Sequence, residues 1–260
     1  MLIDTHCHLD APEFQHMHPA LLAAAAQSGI RALVVPGALA AHFETIQKLC
    51  AQYPHCAPAW GIHPLYVETA TENDLEQLQN RLEQTAHSGA VAIGEIGIDL
   101  YERADNLERQ RFFFIEQVKL AKAYQLPIIV HARKAIDPVL KVLKQIKVPG
   151  GIIHAFNGSE QQATQCIELG FKLGYGGAMT FSGSTRIRKL AATLPLSALV
   201  LESDAPDIPP AWAPNQINVP ANIAQFAQIL AELRQISLSE VIQQTGHNAL
   251  QALPKLRTYL

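Results

Sequence analysis

None of the four cysteines, Cys7, Cys50, Cys56 and Cys166, stands in a CxxC pair, which excludes zinc ribbons and CxxC redox sites. No apolar run approaches the ~20 residues that cross a bilayer. The opening MLIDTHCHLD has no basic stretch leading into an apolar one, so no secretory leader is expected. A basic excess is missing as well. The formal charge is −3, so no overall field holds nucleic acid and any polyanion site must be local. Linkers, low-complexity tracts and sequence repeats are also absent. These absences point to a soluble cytoplasmic protein with reduced thiols and no membrane partner. What is present is a chain of 260 residues, 48% of them hydrophobic, which is enough for a large core. Its length matches the roughly 250 residues of one (β/α)₈ barrel.

Apolar β-branched runs alternate with longer helical patterns from end to end. Strands are expected at 2–8, 30–36, 56–63, 91–98, 127–132, 150–156, 171–177 and 198–204, and helices over 18–28, 39–52, 72–87, 105–125, 134–147, 159–170 and 183–193. Strands separated by helical segments argue for a parallel sheet with crossover helices. Eight such units favour one (β/α)₈ TIM-barrel domain spanning 1–260 over an open doubly wound sheet. Residues 219–235 and 237–252 read as the last barrel helix and a terminal helix. The proline-rich 205–220 (APDIPPAWAPNQINVP) has no periodicity and reads as a loop overhanging the barrel mouth.

Six residues able to bind metal each end one of the strand-like runs: His6 and His8 in LIDTHCH, Glu95 in VAIGEIG, His131 in PIIVHA, His154 in GIIHAF and Asp204 in ALVLESD. A parallel barrel gathers the carboxyl ends of its strands into one mouth, so these residues become neighbours there. The strand period of two puts His6 and His8 on one face, with Cα atoms ~7 Å apart, and turns Cys7 toward the helices. Glu95 lies between Gly94 and Gly97, which permit close backbone approach, and its two oxygens make it the natural bridge between two ions. A buried unpaired Asp204 is costly unless it coordinates a metal or moves a proton. Each residue has a structural alternative, such as an exposed HxH, a Glu–Arg pair or a hydrogen-bonded core histidine. Six of them at strand ends favour a metal site. Glu202 faces the side of Asp204 as a supporting or salt-bridged group. His63 in GIHP ends the third strand, so it is expected to face the mouth as a substrate contact rather than a ligand. His16, His18, His42, His55, His87 and His247 are expected in solvent.

Imidazole and carboxylate without thiolate suit Zn²⁺, Mn²⁺, Co²⁺ or Ni²⁺ and disfavour a purely structural zinc. With one bridging carboxylate, six ligands can hold two ions ~3.5–4 Å apart. Asp204 would bind one of them and accept a proton from its water as general base.

DTHCHLD at 4–10, GIHP at 61–64, GEIGID at 94–99, ERQ…F…Q…LA at 108–121, LPIIVHAR at 126–133, HAFNGS at 154–159 and ESDAP at 202–206 together resemble the TatD family of metal-dependent deoxyribonucleases. This family lies within the amidohydrolase-like TIM barrels. The resemblance implies two divalent ions (Zn²⁺, Mn²⁺ or Mg²⁺) and hydrolysis of DNA phosphodiesters from the 3′ end, with DNA ends or short oligonucleotides as substrate. It implies the same six ligands, His6, His8, Glu95, His131, His154 and Asp204, with Glu95 and Asp204 catalytic. The chain departs from the family at His154-Ala155-Phe156-Asn157-Gly158, where HCFSG is common. It departs again at Lys134, where an acid is common, and in the loop after Asp204, where NEP gives way to Asn218-Val219-Pro220. In this it resembles the YjjV-type branch.

Arg133 is expected to fork onto a substrate phosphate, with Lys134 beside it. Arg186, Arg188 and Lys189 form either a basic rim or the outer face of a helix, and Trp212 either stacks on a base or anchors a lid. Two other functions compete with the nuclease: an amidohydrolase or lactonase acting on a small metabolite, and a silent binding barrel. The former commonly bridges its metals through a carbamylated lysine, whereas the fourth strand here offers Glu95. A monomer is expected.

Overall fold

The computed structural model describes residues 1–84 and 89–260; His87 and the end of the helix expected over 72–87 lie outside them. Eight strands form one sheet in chain order: β1 (Leu2–Asp4), β2 (Ile30–Pro36), β3 (Cys56–Trp60), β4 (Ala92–Asp99), β5 (Ile128–Arg133), β6 (Gly151–Ile153), β7 (Phe171–Tyr175) and β8 (Leu199–Leu201). Every adjacent pair runs parallel. The connections carry helices α1 (His18–Gln27), α2 (Phe43–Gln52), α3 (Glu72–Gln84), α4 (Leu107–Ala123), α5 (Ile136–Gln145), α6 (Glu160–Glu168) and α7 (Thr185–Thr193). Then α8 (Ile223–Arg234) and α9 (Leu238–Ala252) follow β8. This is the expected TIM barrel, nearly closed. No described helix is long and apolar enough to cross a membrane.

The seam between β8 and β1 is stitched beyond the strand ends. Thr5 N–H donates to Leu201 O at 3.1 Å, Asp204 N–H to His6 O at 2.8 Å and His8 N–H to Ala205 O at 2.8 Å. The segments that carry three of the expected ligands therefore also close the barrel.

Five strands stop earlier than the sequence suggests, at Asp4, Trp60, Ile153, Tyr175 and Leu201. His6, His8, His63, His154 and Asp204 stand just past the ladder. There the backbone turns, with left-handed φ at Ala155 (44°) and Asp204 (58°). Such conformations cost energy in residues other than glycine and concentrate at functional sites.

Side chains alternate along the strands. Leu33, Val35, Ile128, Val130, Leu199 and Leu201 pack outward under the helices. Ala32, Val34, Ile129, Ile152 and Val200 fill the barrel, as a period of two requires. In β4 the register against β5 slips between Ile93 and Ile96. Ile93, Ile96 and Ile98 all face the helices, although the first two are three residues apart. The bulge resets the phase, so that Glu95 and Asp99 point inward.

Candidate metal centre

All six expected ligands converge at the mouth. His6 Nε2 lies 3.2 Å from His8 Nε2 and 3.5 Å from Asp204 Oδ1. His131 Nδ1 lies 3.2 Å from His154 Nε2. Glu95 stands between the two groups and is 1% exposed. Its Oε2 is 3.1 Å from His6 and 3.3 Å from His8, while its Oε1 is 2.8 Å from both His131 and His154. One carboxylate thus meets imidazoles through each oxygen, where the structural alternative required an arginine. Cys7 is buried in the layer under the helices, as expected.

The local backbone accounts for this convergence. A Cβ on Gly97 would collide with the His131 carbonyl, and one on Gly94 would meet the Ile129 Cβ at 2.6 Å. Side chains at either position would push β5, and His131 with it, away from Glu95. Asp4 ties β1 to the end of β8. Its Oδ1 accepts from the His6 N–H at 3.2 Å and the Ser203 N–H at 2.9 Å, and its Oδ2 accepts from the Ser203 hydroxyl at 2.6 Å.

Protons and charges in the cluster are interlocked. Burial raises the Glu95 carboxyl, but His154, His63 and His6 outweigh it and hold the group well below the usual carboxylate range. Burial likewise depresses the imidazoles. It prevails at His6 and takes His63 down to about 4. Glu95 and Asp204 reverse it at His8, raised to about 9, and at His154, raised to about 10. Burial lifts Asp204 to about 6 against the pull of His154 and His8.

The donor set fits divalent ions. Imidazole nitrogens 3.2 Å apart must share a proton or face each other lone pair to lone pair, and a cation resolves either case. The buried His6 Nδ1 and His154 Nδ1 have no hydrogen-bond partner. Among the described residues, ligating atoms within 4.8 Å of one another form three groups: His6, Glu95 and His154; His6, His8 and Asp204; and His63, Glu95 and His131.

His63 Nε2 is 3.3 Å from Glu95 Oε1, yet its Nδ1 accepts the Leu65 N–H at 3.2 Å. The neutral ring therefore carries its proton on Nε2, the atom beside Glu95 at the edge of the cleft. Arg133 lines the cleft, with its guanidinium held by Glu102 at 3.0 Å and lying over the Tyr101 ring. Arg186 also lines the cleft and donates to Asn157 Oδ1 at 2.7 Å. Arg188 turns back to the Met179 carbonyl, and Lys189 pairs with Glu160 on the outer face. Trp212 stands outside the cleft, 5.9 Å from the Phe226 ring. Pro206, Asp207 and Ile208 place the root of the 205–220 loop at the mouth. Glu202 lies 3.7 Å from His154 Nδ1 and accepts the Ala155 N–H.

Three contributors escaped the sequence reading. Asp99 Oδ2 accepts from His131 Nε2–H at 2.8 Å, which leaves Nδ1 as the ligating atom, the usual carboxylate–histidine arrangement. Its position, four residues past Glu95 on the same strand face, was the available signal. Gln117 of α4 exchanges two hydrogen bonds with the backbone of Ile62, the residue before His63. Gln110, two turns earlier on the same helix, does the same for Asp99. His42 is exposed, as expected, and faces Asp10 at 3.4 Å across the cleft rim, whereas His18, also expected in solvent, is half-buried with its Nε2 2.8 Å from the Leu9 carbonyl.

A barrel whose mouth gathers four histidines and two carboxylates, with Glu95 between the imidazoles, has the donor set of a metal-dependent hydrolase. A model of the family described as TatD related DNase matches residues 3–254. The chain belongs to the TatD family. It is 40% identical to the metal-dependent hydrolase YjjV of Escherichia coli (strain K12) over 247 residues, 95% of each chain. It is 33% identical to the human deoxyribonuclease TATDN3 over 271 residues, covering all of this chain and 97% of that one. The crystal structure of Escherichia coli YjjV superposes with a TM-score of 0.94 at 38% identity, over 97% of this chain and 98% of that chain.

Proposed function

We propose that this hydrolase is a deoxyribonuclease that shortens DNA from its 3′ end, with two divalent ions (Zn²⁺, Mn²⁺ or Mg²⁺) as cofactors. The observation that carries the reading is Glu95, which offers its Oε2 to His6 and His8 and its Oε1 to His131 and His154. That is the donor arrangement a two-ion phosphodiester site requires. The name of the human relative supports it. So does the cleft of about 1420 Å³, larger than the ~300–1,000 Å³ usual for small-molecule pockets. Glu95, where an amidohydrolase commonly bridges its metals with a modified lysine, favours phosphodiester chemistry over amide or lactone hydrolysis.

His6, His8 and Asp204 would hold one ion and His131 and His154 the other, with Glu95 shared. Ions bound there supply a water that is nucleophilic at neutral pH and a counter-charge for the phosphate. Asp204 accepts the proton of the attacking water as general base. His63 donates from Nε2 to a phosphate oxygen, and Arg133 can turn from Glu102 to fork onto the same phosphate.

The test is digestion of a short 5′-labelled single-stranded DNA with Mg²⁺, Mn²⁺ or Zn²⁺, with Asp204→Asn as control. A ladder that shortens from the 3′ end in the wild type is expected. The variant should cut about 10²–10⁴-fold more slowly while retaining its metal. Uncut DNA from metal-loaded protein would sink the nuclease reading. Near-normal cutting by the variant would sink the general-base role.

A further inference from the structure

Beside β1 and β8 the cleft carries the acids Asp10, Glu13 and Asp207, and beyond β4 and β5 it carries Arg103, Arg133 and Lys134 interleaved with Asp99, Glu102 and Asp137. The three cations are held differently. Arg103 pairs with Glu68 and Asp105, and Arg133 pairs with Glu102. Lys134 meets no carboxylate among the described residues. Its Nζ lies 4.7 Å from the centre of the Tyr101 ring, and the Arg133 guanidinium lies 3.8 Å from the same centre. Tyr101 is itself 54% exposed.

Two cations on one ring are each attracted to its face and repel one another. A bound anion between them relieves that repulsion. The backbone shows the same bias. Lys134 has φ 55°, a conformation comfortable for glycine or asparagine and strained for lysine. The strand end thus accepts strain while presenting an ammonium to the cleft. Lys134 follows His131 by three residues, at most ~10 Å of chain. A phosphate bound there and one at the ligand cluster can therefore belong to neighbouring nucleotides.

We propose that Lys134, displayed on Tyr101 beside Arg133, forms a second phosphate subsite that takes the phosphate next to the scissile one. The assignment of its occupant rests on the phosphodiesterase reading, and the preferred substrate then carries at least two phosphates.

The experiment is calorimetric titration of the purified, metal-loaded protein with deoxythymidine 3′,5′-bisphosphate and with deoxythymidine 5′-monophosphate at fixed ionic strength. The bisphosphate should bind about tenfold more tightly, the ratio that 1.4 kcal/mol represents. Lys134→Glu should erase the preference and leave monophosphate binding unchanged, and Lys134→Arg should keep it. Lys189→Glu makes the same charge change outside the cleft and should have no effect. A preference that survives Lys134→Glu, or that falls equally in Lys189→Glu, overturns the subsite. The nuclease assay separates the two ideas. Uncut DNA with the preference intact leaves the subsite standing and removes its proposed substrate. Cut DNA without the preference removes the subsite alone.

Discussion

The two ends of the barrel are made from the same strands and do opposite work. At one end Leu250, Leu253 and Leu256, at and beyond the end of α9, close over Ile3, Val34, Ile129, Ile152 and Val200. This is an apolar plug whose parts need only volume and shape. At the other end, two residues on from Ile129 and Ile152, the inward positions are His131 and His154. These meet Glu95 in a cluster whose polar atoms satisfy one another only with added protons or cations. Depth along a strand, more than residue type, separates packing from chemistry. The plug supplies the stability that lets the mouth hold buried charge and left-handed backbone.

The largest effect expected from breaking this division comes at the mouth. Glu95→Ala removes the one group shared by both imidazole sets. Turnover should fall about 10³-fold or more, on the scale of losing a principal electrostatic group in an active site. Metal content, read by elemental analysis, should fall with it. The unfolding midpoint of the metal-free protein should fall, because the imidazoles that Glu95 keeps charged lose their buried partner. Retention of both ions would contradict the bridging role.

The plug should show the reverse split. Leu253 is fully buried, and Leu253→Ala should cost about 2–5 kcal/mol of stability in urea unfolding. Activity per folded molecule and metal content should stay within about twofold, since core cavities act mainly on stability. A matching loss of metal affinity in this variant would mean that the ends are coupled and the division is false.

What the sequence disclosed follows the same line. The ligands were legible because coordination demands His and carboxylate at strand ends, and an apolar run makes a strand end visible. The strand lengths were misjudged at Asp4, Trp60, Ile153, Tyr175 and Leu201. An apolar run continues to read as strand after its ladder has stopped, and residues such as Ile62 and Ala205 are buried by the turn instead. The β4 bulge carries no composition signal, because Gly94-Glu95 reads equally well as regular strand. Gln110 and Gln117 belong to the ERQ…F…Q…LA stretch at 108–121 that carries the resemblance, but with no role attached. Nothing local reveals that they face the backbone of Asp99 and Ile62. The rim was least legible, since an exposed arginine or lysine has no spacing rule that says whether it meets a carboxylate or a cleft.

Asp99 gives the smallest and sharpest test, because it lies between the two categories. It is buried and binds no expected ion, yet it sets which nitrogen of His131 is free. Its Oδ1 accepts from the N–H groups of Tyr101 and Glu102, both at 2.8 Å, and its Oδ2 accepts from the His131 Nε2–H. In Asp99→Asn the amide oxygen stays with the two backbone donors, so the amide nitrogen faces His131 Nε2. Two donors cannot share that contact. The imidazole proton then moves to Nδ1, the atom 2.8 Å from Glu95 Oε1, and the lone pair is lost to the ion. Metal affinity should weaken about 10–100-fold, the usual cost of removing a carboxylate behind a ligating histidine, as measured by titration of the metal-free protein. The loop bonds remain, so stability should change by only about 1 kcal/mol. Unchanged affinity would reduce Asp99 to a loop cap and place the boundary between packing and chemistry at His131 itself.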